Sequence, residues 1–237
     1  MLRTPFSRWL GWTALAFLGL LAWDLSGLDL PVARLFGTPE GFALRDNWVF
    51  VKILHEGAKW LTWALVILLC GTIAWPVGFL RRLTRAERVQ LALGVIASVL
   101  LVQLLKHGSR TSCPWDLQAF GGVATHVSHW TWGQGDGGPG RCFPAGHASA
   151  AFAFLSGYFV LARRVPSAAR WWLAATVLGG LLLGLAQQAR GAHYMSHTLW
   201  TGWFCWATGL AIDMACQWRR SRAGQVALAA GPSRTSY

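Results

Sequence analysis

Long apolar runs separated by short arginine-rich clusters constrain this chain more than any other feature. The runs lie at about 9–23, 60–80, 89–105, 148–162, 171–188 and 198–218. Each approaches or reaches the roughly 20 residues that cross the hydrocarbon of a bilayer. With 54% hydrophobic and only 13% charged residues, the chain reads as an integral membrane protein with one helical domain. Its net charge of +12 does not point to nucleic acid, because the charges sit between the runs, as in cytoplasmic loops. Trp9, Trp60, Trp171, Trp172 and Trp218 fall near run ends, where an interfacial belt places them.

The expected fold is all-α: a six-helix transmembrane bundle over 1–222, with 223–237 as a small, polar, disordered cytoplasmic tail. Helix one, about 9–23, is short for a span. Arg3 and Arg8 before it mimic a signal peptide, but no small-residue cleavage site follows, so it is read as retained. A short surface helix is expected near 31–36. Helix two has an amphipathic lead-in over 48–59, then a span from Trp60 to Leu80; helix three delivers Lys106 at its end; helix four starts near His147. Basic clusters occur at the N-terminus, at Arg81–Arg88, around Arg163–Arg170 and after Trp218. These are alternate connections, so both termini are expected in the cytoplasm and the protein in the inner (plasma) membrane as a multi-pass chain. The opposite side carries 24–47, the long loop 107–146 and 188–197. All seven histidines fall on it or just inside it: His55, His107, His126, His129, His147, His193 and His197.

Three stretches bring chemistry to that outer face: Lys106–Asp116, Pro144–His147, and Arg190-Gly-Ala-His-Tyr-Met-Ser-His197. Pro144 and Gly146 punctuate the chain just before a helix. A helix start presents unpaired N–H groups and a positive dipole end, which favours phosphate. Two histidines with a lysine and an arginine suit phosphoryl transfer: cations hold phosphate oxygens, one imidazole attacks phosphorus, and the other protonates the leaving oxygen.

In order and helix placement these stretches resemble the type 2 phosphatidic acid phosphatase and vanadium haloperoxidase superfamily. Its membrane branch has six helices and the signature Lys-x6-Arg-Pro, Pro-Ser-Gly-His, Ser-Arg-x5-His-x3-Asp. The second part is nearly intact as Pro144-Ala145-Gly146-His147. The departures are Cys113 at the first arginine position, Gln187 at the second, and His197 at the aspartate position. The resemblance implies His193 as nucleophile, His147 as general acid, and His197 in the place of the orienting carboxylate. It also implies Lys106 and the Gly146 backbone as phosphate ligands, with Arg190 and Arg110 as substitutes for the missing arginines. Asp116 and Glu56 are the outer-side carboxylates that could replace the aspartate.

The implied activity is hydrolysis of a lipid phosphate or pyrophosphate headgroup at the outer (periplasmic) face through a phosphohistidine, with no cofactor, no metal and no nucleic-acid partner. Other readings stay open: a lipid phosphotransferase using a polyprenyl pyrophosphate donor, a non-catalytic headgroup binder, and a histidine-rich metal or haem protein. Lys106 and Arg110 also read as snorkelling anchors. His193 and His197 also read as a metal pair four residues apart, and His126 and His129 as surface residues of a flexible loop. His55 either lines the cavity or caps helix two. Five cysteines rule out a complete disulfide framework. Only Cys113 and Cys142 lie on the outer side, and in an oxidising compartment they are expected to pair.

Overall fold

The computed structural model describes residues 5–131 and 133–229. Arg3 of the N-terminal cluster and residues 230–237 of the expected tail lie outside them. The chain is mostly helical: α1 (Pro5–Ser26), α2 (Asp29–Ala33), α3 (Ala58–Gly71, continuing π-helical turns over Val49–Gly57), α4 (Arg85–Gly108), α5 (Ser149–Phe152), α6 (Ser156–Arg164), α7 (Pro166–Ala189) and α8 (Met195–Ala229). Two short antiparallel strands, β1 (Gly37–Thr38) and β2 (Gly41–Phe42), form a hairpin with Gly37 opposite Phe42.

Among the described residues four helices are long and apolar enough to cross a membrane: Phe6–Ser26, Val49–Gly71, Arg85–Gly108 and Pro166–Ala189. The amphipathic lead-in therefore belongs to the second span, and that span ends at Gly71 rather than Leu80. Pro76 supplies the reason. It lacks an N–H and disfavours a helical residue before it, so Gly78–Arg82 forms only a 3-10 turn. Helix one is longer than the sequence implied; its 22 residues rise about 33 Å, enough for the hydrocarbon. The fourth expected helix is a broken run: α5, a 3-10 turn at Ala153–Leu155, then α6. α8 continues to Ala229, past Arg222, where the tail was expected to start. The short surface helix lies at Asp29–Ala33 instead of 31–36.

α4 starts with a capping box: Thr84 accepts from the Glu87 N–H, and the Glu87 carboxylate accepts from the Thr84 N–H. The core lies between α4, the α5–α6 run and α8, where Val95, Val102, Phe152, Leu155, Leu161 and Cys205 are buried. A side chain at Gly209 would collide with the Ser156 backbone, so α6 and α8 are held in close contact by a small residue. α1 and α3 instead present Trp12, Leu18, Trp60, Trp63 and Leu68 outward, an apolar surface suited to lipid.

Candidate active site

The three signature stretches meet at one end of the bundle. α7 ends in a Schellman turn: Gly191 N–H bonds the Gln188 carbonyl and Ala192 N–H the Gln187 carbonyl. Gly191 has φ +75, and a side chain there would run into the Phe42 ring. Glycine is thus required twice over, and the turn it makes sets His193 two residues later. The Pro144–His147 loop is held against α8, with Ala145 N–H donating to the His197 carbonyl and Thr201 Oγ1 donating to the Ala145 carbonyl. Ser149 Oγ closes the loop on the Gly146 carbonyl at 2.6 Å.

The histidine rings form a chain. His55 stacks on His147 with centroids 3.8 Å apart; His147 to His193 is 6.5 Å and His193 to His197 is 5.8 Å. His55 therefore faces the site, as one of its two open readings allowed. Lys106 reaches the loop: a Cβ built on Gly146 would lie 3.5 Å from its Nζ. Arg190 is buried but already engaged, donating from Nε to the Arg45 carbonyl at 2.9 Å and from Nη1 to Gln187 Oε1 at 3.1 Å. Arg110 is exposed and donates to the Gly133 carbonyl, so it is not gathered with Lys106 and His147. Glu56 pairs with Lys52, and Asp116 caps its own turn through the Cys113 N–H and Trp115 Nε1. Neither carboxylate is hydrogen-bonded to His193 or His197.

The Cys113–Cys142 disulfide is formed, with Cα atoms 5.1 Å apart. Its Cys142 Sγ lies 3.5 Å from His193 Nδ1 and 3.1 Å from the Ala192 carbonyl oxygen. A disulfide sulfur has no hydrogen to give, so a proton on Nδ1 suits this contact and leaves the lone pair on Nε2. Bridged sulfurs are not thiolates, so the grouping of Cys113, Cys142 and His193 is not a metal site in the oxidised chain. His193 and His147 both lie in loops outside the helical spans. Burial, reinforced by Lys106, His197 and His147, holds the His193 imidazole well below its ordinary range, with the Cys142 backbone opposing. Burial, then His55, Lys106 and Arg190, pull His147 down to about 3. Both shifts favour the neutral imidazole.

A cavity of about 550 Å³ opens between α3 and α4. His55, Lys59, Gln103, Lys106, Gly146 and His147 line its polar end. Trp63, Val66, Ile96, Val99 and Leu100 line the apolar remainder. His193, 2% exposed, stands one ring behind His147 and does not line it.

The PAP2 superfamily model matches residues 88–222, more than half the chain and all three stretches. The chain belongs to the PAP2 superfamily. A solved structure it resembles is the first transmembrane PAP2-type phosphatidylglycerolphosphate phosphatase from Bacillus subtilis. That match has a TM-score of 0.54 at 15% identity and covers 86% of this chain and 96% of that one. At this identity the likeness speaks for the fold: a mostly helical, transmembrane PAP2 bundle. No curated protein matches the sequence significantly. Family and fold agree with a phosphatase-type enzyme of the membrane. Two PAP2-site neighbours were not assigned from the sequence. His129 was read as a surface residue, yet its side chain is 7% exposed and paired with Asp24 at 3.4 Å. Asp24 stood only as one of several loop acids. The contact joins residues more than a hundred positions apart, and no local pattern signals it.

Proposed function

We propose that this PAP2 protein hydrolyses a lipid phosphate or pyrophosphate headgroup at the outer, periplasmic face through a phosphohistidine. The observation that carries this is the cavity between α3 and α4. It joins a cationic, histidine-lined end to an apolar wall facing lipid, the shape of an amphiphile with an anionic head. In this reading Lys106 and the Gly146 backbone hold phosphate oxygens, with Arg190 adding positive potential. The headgroup displaces the His55 ring from its stack on His147 and reaches His193. His193 Nε2 forms a bond to phosphorus as the ester or anhydride P–O bond breaks, and His147 gives its proton to the departing oxygen. The incoming dianion favours the protonated form of His147, which the unliganded site disfavours. Water then attacks the phosphohistidine, returning its proton to His147 and releasing inorganic phosphate. His197 orients His193, more weakly than an aspartate, because it brings no negative charge.

The placement of the basic connections supports this sidedness. Arg163 bonds Asp213, while Arg164 and Arg220 pair with Glu87. The basic connections therefore gather at the end opposite the histidines. Reporter fusions after Arg85 and after Gln134 are expected to give opposite sidedness; the same side for both ends this topology.

The decisive assay is inorganic phosphate release by the detergent-purified protein, in chelator, from phosphatidic acid, phosphatidylglycerol phosphate and a polyprenyl pyrophosphate. Release from at least one, with an acid-labile phosphoenzyme lost in His193→Ala, is expected. His147→Ala should retain the phosphoenzyme only with an activated leaving group. Phosphate passed to a second lipid without release identifies a phosphotransferase. Headgroup binding with no turnover identifies a non-catalytic member.

A further inference from the structure

A second polar cluster lies behind His197, on the side away from the α3–α4 cavity. Asp24 comes from the end of α1, Asp29 from the start of α2, and His129 from the loop between Gly121 and Thr131. One ligand atom from each lies within 4.8 Å of the other two. They border a cavity of about 60 Å³, together with Thr111, His126, Tyr194 and His197. Among the described residues, three buried polar atoms bordering it have no hydrogen-bond partner: Asp24 Oδ1, Tyr194 Oη and His197 Nδ1. His129 Nε2 faces only Asp24 Oδ2, at 3.4 Å, and the side chains of His129 and Asp24 are 7% and 10% exposed. A buried polar atom without a partner costs about 1–3 kcal/mol, so three around one small space point to something that binds them together.

The rest of each ligand is already oriented by neighbours. Asp24 Oδ2 accepts from Trp130 Nε1 at 2.7 Å and Trp200 Nε1 at 2.8 Å, which leaves Oδ1 to point elsewhere. Asp29 accepts from Trp23 Nε1 at 2.9 Å, from the Ser196 N–H at 3.0 Å and from Ser196 Oγ. The His129 ring stacks on Phe143 with centroids 4.2 Å apart. Metal-ligating carboxylates and imidazoles are oriented in this way, by outer partners that fix their direction.

We infer that Asp24, Asp29 and His129 bind a divalent d-block cation, with zinc the best match. One nitrogen and two carboxylate oxygens suit a four-coordinate zinc, whereas calcium takes six to eight oxygens and magnesium about six. Zinc bonds of about 2.0–2.2 Å bring tetrahedral ligands to roughly 3.5 Å of one another, so the triad closes by about an ångström. The fourth position is left to water, which Tyr194 Oη and His197 Nδ1 are placed to hydrogen-bond. The ion is structural: it ties α1, α2 and the 121–131 loop to the start of α8, and no step of the phosphoryl chemistry passes through it.

The test does not depend on phosphatase activity. The full-length protein in detergent is stripped with EDTA, dialysed against zinc alone, desalted, and analysed for bound metal and thermal unfolding. The wild type is expected to hold about one zinc per chain, as one three-residue site implies, and to unfold at a higher temperature with zinc than without. Asp24→Asn, whose amide oxygen still accepts from both indoles, and His129→Gln should each lose the zinc and the shift. His193→Ala should keep both, which places the ion outside the phosphate site. Replacing zinc with cobalt(II) should give the wild type a tetrahedral ligand-field spectrum. The inference is overturned if the wild type retains no zinc and shows no cobalt spectrum, leaving a carboxylate–imidazole pair around water. It is equally overturned if Asp24→Asn and His129→Gln retain full zinc, or if His193→Ala loses it.

Discussion

The two ends of the bundle treat buried polar groups in opposite ways. At the basic end every buried charge is matched. Arg163 meets the fully buried Asp213 in a two-bond fork at 2.6 Å, and Gln90 adds a third bond to the same carboxylate. Glu87 is shared by the α4 cap, Arg164 and Arg220. At the histidine end His55, His147 and His197 each keep a buried ring nitrogen without a partner among the described residues. Matched charges hold helices in register, whereas unmatched acceptors are a standing cost that persists where a ligand or a reaction uses them. The contrast separates scaffold from site without reference to family.

The largest expected effect breaks the outer end alone. His193→Ala should lower phosphate release by about 10³-fold or more, a loss of roughly 4 kcal/mol in transition-state stabilisation, with little change in melting temperature. Comparable loss of folding would make His193 a scaffold residue and erase the contrast. Next comes the Cys113→Ser, Cys142→Ser pair. Opening a bridge across 29 residues should cost roughly 2–4 kcal/mol of stability. It should also reduce turnover per folded molecule, because Cys142 Sγ backs His193; unchanged turnover would show that the bridge only holds the loop. At the inner end, Arg163→Ala leaves Asp213 buried and unmatched. About 2–3 kcal/mol of stability should go, below the full range for a buried pair because Arg163 is a quarter exposed. Turnover of the folded fraction, measured beside chemical denaturation, should hold. The smallest effect is His197→Asp. A carboxylate supplies the missing charge, so kcat should rise a few-fold, about 1 kcal/mol or less. If His197→Ala turns over like wild type, the residue orients nothing.

Hydropathy made the long apolar helices readable, and Pro144-Ala-Gly-His147 marked the loop that turns into α5, because both are local patterns. Helix ends were less so, though two signals were present. Thr84-x-x-Glu87 is a capping-box spacing, and Pro76 forbids the uninterrupted span to Leu80. The stacking of His55 on His147 and the burial of His129 against Asp24 are tertiary facts. They depend on how α1, α3 and the 121–131 loop pack, which periodicity does not encode. Asp116 and Glu56, the outer-side carboxylates expected to replace the missing aspartate, are both committed to their own turns. The group touching His193 Nδ1 is a half-cystine, and it comes from a residue the disulfide expectation had placed only as a loop clasp.

The cavity between α3 and α4 has its apolar wall on helices whose outer faces include the exposed Trp63 and Leu100. In the proposed reading, a lipid substrate seated there keeps its tails among other lipids throughout. The concentration that governs such an enzyme is then a mole fraction within one leaflet, not moles per litre of buffer. Diluting the substrate with inert lipid at constant bulk amount should slow the reaction, whereas adding more vesicles of the same composition should not speed each bound enzyme molecule.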